Sequence, residues 1–130
     1  MKYIETDGNR QKEYGGRKAK SGDCVVRSIA IALNQSYRQT LIDLCELGIE
    51  LGRLPNDKIV FDKYLTNKGW VKRKAKRVNG KLIKLKDSTF DKSKLLVSTR
   101  GHLTCIIDNT IHDSWDCRNQ YGGVAWSRQT

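Results

Sequence analysis

Long apolar runs are missing from this 130-residue sequence. The longest, at residues 29–33 and 95–97, fall far short of the roughly 18 consecutive apolar residues that a membrane span needs. No membrane partner is therefore expected. The opening residues, Met1-Lys2-Tyr3-Ile4-Glu5-Thr6-Asp7, contain no apolar signal core, which gives a cytoplasmic expectation. There is one proline, no Pro-rich or Ser-rich stretch and no internal repeat, which argues against a second domain. Four cysteines, Cys24, Cys45, Cys105 and Cys117, are expected to be reduced thiols in that compartment. Acidic residues are scarce too. Lys and Arg number 25 against 14 Asp and Glu, for a net charge of +11. Such a balance suits nucleic acid, an acidic polymer or an anionic surface.

What is present reads as helices followed by strands. Residues 1–20 are polar and carry Gly8, Gly15 and Gly16, so a loose leader is expected, followed by one domain over 21–130. Val25, Val26, Ile29, Ala30 and Leu33 recur at helical spacing after Asp23, whose carboxylate is expected to cap the helix. Asn34 and Gln35 end it. Ser36 opens a second helix with Leu41, Leu44, Cys45 and Ile49 inward, ending near Gly52. Pro55-Asn56 opens a third, with Ile59, Val60, Tyr64 and Leu65 inward and Gly69 as its stop. Strands are expected over 70–78 and 81–86 around an Asn79-Gly80 turn, over 95–99, over 102–107 and 110–115 around Asp108-Asn109, and as a last edge over 124–126. Helices first and antiparallel strands after is an α+β pattern.

A thiol becomes a good nucleophile as a thiolate. A helix N-terminus and a neighbouring imidazole favour that form, and an acid fixes the ring. Cys24 opens the first helix, His102 opens a strand and Asp113 lies on the next strand. With Asp108-Asn109 as the turn, Ile107 opposes Thr110, Thr104 opposes Asp113 and His102 opposes Trp115. Asp113 then lies on the His102 face, one diagonal of roughly 7–8 Å away. Asp116 points to the other face and is the reserve acid if the turn shifts by one residue.

Gly22-Asp23-Cys24 at a helix start, Gly101-His102-Leu103-Thr104-Cys105-Ile106-Ile107, and His112-Asp113-Ser114-Trp115 together resemble the papain-like cysteine peptidases. The likeness is to small C39-like members, including bacteriophage ones with a similar Asp-Cys-Val-Val-Arg start. It implies a helix bearing Cys24 packed on an antiparallel sheet bearing His102, and acyl transfer at an amide or isopeptide bond of a peptide or protein substrate. It implies no cofactor, Trp115 shielding the contact between acid and imidazole, and, for a phage-encoded chain, the host cytoplasm. Where the family holds the oxyanion with Gln, six residues before the nucleophile, this chain has Lys18. The backbone N–H of Cys24 is the other donor.

Other readings attach to the same residues. Cys45 and Cys105 are expected in the core, and His112 at the surface or just behind the site. His102, Cys105, His112 and Cys117 are zinc-ligand types, but their spacing fits no common finger. Between Lys68 and Lys86 lie nine cations and no acid. Of these, Lys72, Arg73, Lys74, Lys76, Arg77 and Lys81 are the candidate contacts for nucleic acid or an acidic protein. A papain-like scaffold without catalysis, binding through that ribbon, is the alternative function.

Overall fold

The computed structural model describes residues 1–15 and 22–129. In chain order the elements are β1 (Lys2–Glu5), α1 (Arg10–Glu13), α2 (Cys24–Leu33), α3 (Tyr37–Leu51), α4 (Lys58–Asn67), β2 (Trp70–Arg73), β3 (Arg77–Val78), β4 (Lys81–Leu82), a 3₁₀ turn (Leu85–Asp87), β5 (Lys94–Thr99), β6 (His102–Ile107), β7 (Thr110–Asp113) and β8 (Ala125–Arg128). The fold is α+β. The helices pack on a mixed, mostly antiparallel sheet of order β1-β7-β6-β5-β8-β2, and β3 and β4 form a small ribbon of their own.

Local chemistry sets the helix ends. Asn34, in the left-handed region at φ 52°, closes α2. The Ser36 hydroxyl accepts from the Gln39 N–H at 2.9 Å and opens α3, worth about 1 kcal/mol for such a cap. The opening of α4 is Asp57, accepting from the Ile59 N–H at 2.8 Å, rather than Pro55-Asn56. Gly48 has a separate role: a Cβ there would meet the Arg53 carbonyl oxygen at 2.5 Å.

Two expected core residues are corrected. Ile49 is 82% exposed, because at 100° per residue it stands 140° around α3 from the buried Leu44. Ile59 lies one helical step outside the buried stripe of Val60, Phe61, Tyr64 and Leu65, and is exposed. Cys45, expected in the core, is only half-buried, whereas Cys105 is fully inside the core.

Strand alternation gives the sheet two apolar faces. Leu96, Leu103, Cys105 and Trp126 join the cluster formed with Val25, Ile29, Leu44 and Leu65 of the helices. Their neighbours Leu95, Val97, Ile106, Ile111 and Ala125 join a second cluster with Leu85 and Cys117. Each fully buried Leu, Ile or Val contributes roughly 1.5–3 kcal/mol.

The Asp108-Asn109 turn forms as the sequence predicts, with both residues at positive φ (50° and 56°) and Ile107 opposite Thr110. Three strand expectations are corrected. Residues 124–126 do not make an edge: β8 lies between β5 and β2. The long basic hairpin does not form. The buried side chains of Trp70 and Trp126 bring β2 against β8, so β2 pairs there, and only two residues flank each side of Asn79-Gly80. The loose leader is corrected over its first residues, since β1 pairs in parallel with β7, placing Tyr3 opposite Ile111 and Glu5 opposite Asp113.

Candidate active site

His102 is the first residue of β6 and Asp113 the last of β7, so the hairpin sets both at one end of the sheet. The first turn of α2 is packed at that end. The imidazole Nε2 of His102 lies 2.7 Å from Oδ2 of Asp113. Nδ1 is the remaining ring nitrogen, and Cys24 lines the same cleft as the His102 ring. The Trp115 ring stands 4.8 Å from the His102 ring, centroid to centroid, and covers the pair from the solvent side. Cys24, His102 and Asp113 are thus brought together.

Asp113 is 1% exposed and every side of its carboxylate is used. Oδ1 accepts from Arg27 Nη2 at 3.0 Å and from the Ser114 N–H at 2.7 Å. Oδ2 meets His102 and, at 3.8 Å, Cys117 Sγ. The reserve acid is set aside. Asp116 is exposed and paired with Arg118 Nη2 at 2.7 Å. Asp23 is corrected as a side-chain cap: its carboxylate turns to Arg27 and to the Tyr37 hydroxyl at 3.1 Å. Among the described residues, the first-turn N–H groups of α2 therefore receive no capping bond from Asp23.

The electrostatics follow from these contacts. Burial alone would raise the Cys24 thiol. The hydrogen bonds from His102 and the Leu103 backbone N–H, with the charges of His102 and Arg27, outweigh it and hold the thiol below its ordinary value. Burial would lower His102, but its bonds to Asp113, Cys117 and Cys24 and the Asp113 charge raise it. Asp113 stays low despite burial, through His102 and the Arg27 charge. The three groups favour a thiolate, an imidazolium and a carboxylate.

Beside Cys24 and His102 lies an open cleft of about 440 Å³, floored by Phe61 and Trp126 and flanked by Lys58 and Gly101. A second hollow with Arg100, Gln120 and Tyr121 shares Ser98 and Thr99 with it. Of the zinc-type residues, His102 and Cys117 meet, joined by Asp113, with one ligand atom of each within 4.8 Å of the others. Such donors suit zinc. Here the Arg27 guanidinium already supplies positive charge to the carboxylate.

Lys18 lies outside the described residues. The candidate cations scatter. Arg73 donates to Ser127 Oγ and the Arg128 carbonyl, Lys76 to the Thr89 carbonyl and Arg77 to the Gly80 carbonyl. Lys72, Lys74 and Lys81 remain exposed, with the Lys72 ammonium over the Trp126 ring, 5.9 Å from its centroid. His112 is half-buried on β7.

Sequence reasoning missed the role of Arg27, and it named Cys117 only as a zinc-ligand type. The signal for Arg27 was a lone cation inside the apolar run of α2; nothing local placed Cys117 beside Asp113. Compared with family models, curated proteins and solved structures, the chain matches none of them.

Proposed function

We propose that the protein is a thiol-dependent acyl-transfer enzyme of papain-like type, acting on an amide or isopeptide bond in a peptide or protein. The observation that carries this reading is that Cys24 and His102 line one open cleft, with the His102 ring bonded behind to Asp113 at 2.7 Å and the thiol held low. Cys24 Sγ attacks the substrate carbonyl carbon and the C=O electrons move to oxygen. The oxyanion meets the backbone N–H of Cys24 at the start of α2. Collapse breaks the C–N bond as the His102 imidazolium gives its proton to the departing amine, leaving a thioester on Cys24. His102, now neutral, takes a proton from water or an acceptor amine, whose attack breaks the C–S bond, releases the acyl group and restores the thiolate–imidazolium pair. Asp113 keeps the ring oriented and stabilises its charged form throughout.

The test is intact-mass detection of a covalent acyl adduct with a panel of activated peptide esters and amides. Wild type is expected to gain one acyl mass at Cys24 and to turn the substrate over. Cys24→Ala is expected to keep its far-ultraviolet circular dichroism and gain no mass. Equal turnover by Cys24→Ala would remove the proposal.

A further inference from the structure

Arg27 is the only charged residue in α2, and it is buried. A guanidinium is costly to bury unless carboxylates pair with it. Two do: Nη1 holds Asp23 Oδ1 and Nη2 holds Asp113 Oδ1. One fork therefore links the residue before Cys24 to the acid behind His102. With Oδ1 occupied by Arg27 and by the Ser114 N–H, Oδ2 is the oxygen turned to Nε2 of His102. The far end of the fork is fixed as well, because Asp23 Oδ2 accepts from Tyr37 and lies 3.9 Å from Arg10 Nε.

We propose that Arg27 is a positioning residue: its two-pronged grip sets the rotation of the Asp113 carboxylate, and so the hydrogen bond that orients His102. The catalytic meaning rests on the acyl-transfer reading; the orientation itself does not. A second role, plain neutralisation of buried acid, makes a different prediction. The groups facing the Asp113–His102 pair are Arg27 from α2, Cys24 at the helix start, Cys117 from the loop after β7 and Tyr3 from β1. Among these Arg27 is the fixed cation. Removing a nearby cation by charge alone would raise the titration midpoint of His102. Losing the Asp113 hydrogen bond would lower it.

The experiment uses nitrogen-15 NMR on the full chain carrying Cys24→Ala, so that the nucleophile takes no part. The downfield imidazole N–H signal of His102 and its titration midpoint are compared across Arg27→Met, Arg27→Lys and Asp23→Asn. Arg27→Lys keeps the charge but loses the fork. Both Arg27 variants are expected to lose the downfield signal and to lower the midpoint while retaining a dispersed amide spectrum. Asp23→Asn releases only the far prong and is expected to broaden the signal, which serves if the Arg27 variants unfold. An unchanged signal in any folded variant, a raised midpoint in Arg27→Met, or full rescue by Arg27→Lys overturns the proposal. With Cys24 restored, Arg27→Lys should slow alkylation at pH 6 roughly tenfold, about the worth of one hydrogen bond to a charged group. If wild-type Cys24 instead reacts as an ordinary thiol, the acyl-transfer reading falls while the NMR result stands.

Discussion

Replacing His102 by Ala should turn Cys24 from the most reactive thiol of the chain into a slow one. An ordinary thiol with a midpoint near 8.5 is about 0.3% thiolate at pH 6. Each pH unit by which the midpoint is lowered multiplies that fraction about tenfold, but costs about threefold in intrinsic nucleophilicity. A net gain of roughly threefold per pH unit remains. In the His102→Ala protein the hydrogen bond and the imidazolium charge both vanish, and burial, the largest influence on Cys24, is opposed only by the Leu103 N–H and Arg27. The rate at pH 6 should therefore fall, by roughly threefold for each pH unit that the Cys24 midpoint rises. The assay is iodoacetamide alkylation from pH 5 to 9, resolved by site with mass spectrometry on the folded protein. Cys45, half-buried, and Cys105, whose thiol burial pushes up to about 12, serve as references within the same molecule. Superimposable Cys24 profiles for wild type and His102→Ala would refute the coupling of thiol to imidazole.

Asp113→Asn should destabilise the fold by about 3–5 kcal/mol, since it leaves the buried Arg27 with one carboxylate, and should also slow Cys24 at low pH; urea unfolding and the same alkylation assay read the two effects. Wild-type stability should peak between pH 3.8 and 6.5. The low-lying Asp113 contributes fully above its ordinary 3.8 and loses its share as the pH falls through its folded midpoint. The raised His102 contributes fully below its ordinary 6.5 and loses its share as the pH rises toward about 11. Urea midpoints that are flat from pH 3 to 9 would contradict both signs. Gly48→Ala sets helix propensity, worth about 1 kcal/mol in favour of Ala, against a Cβ at 2.5 Å from the Arg53 carbonyl. The clash wins, since backbone cannot swing away as a side chain can, and the melting temperature should fall; a rise would mean that the α3 end relaxes freely.

The elements set by neighbouring residues were the legible ones. The α2 and α3 limits, the Asn79-Gly80 and Asp108-Asn109 turns and the register between Ile107 and Thr110 follow from caps, positive-φ residues and alternation. The pairing of His102 with Asp113 was legible for the same reason, since one hairpin carries both. Pairings between distant segments were not. Nothing local in Lys2–Glu5 says that it lies beside β7, and nothing in residues 70–86 says that Trp70 prefers the flank of β8 to a hairpin with Lys81–Leu82. Asp23 illustrates the limit within the site. Its position before Cys24 fits a cap, but a buried guanidinium four residues on competes for the same carboxylate and takes it.

The parallel pairing of β1 with β7 bears on how the molecule is made. Thr6 donates its backbone N–H to the Asp113 carbonyl at 2.8 Å, so β1 completes the strand that carries the acid. That partnership waits until more than a hundred further residues have emerged, and contacts at such separation form slowly. In the interval the hairpin of β6 and β7 can close on its own, with one flank bare. A change that weakens β1 would therefore act on the last step of assembly rather than on the helices, and would be felt first at Asp113.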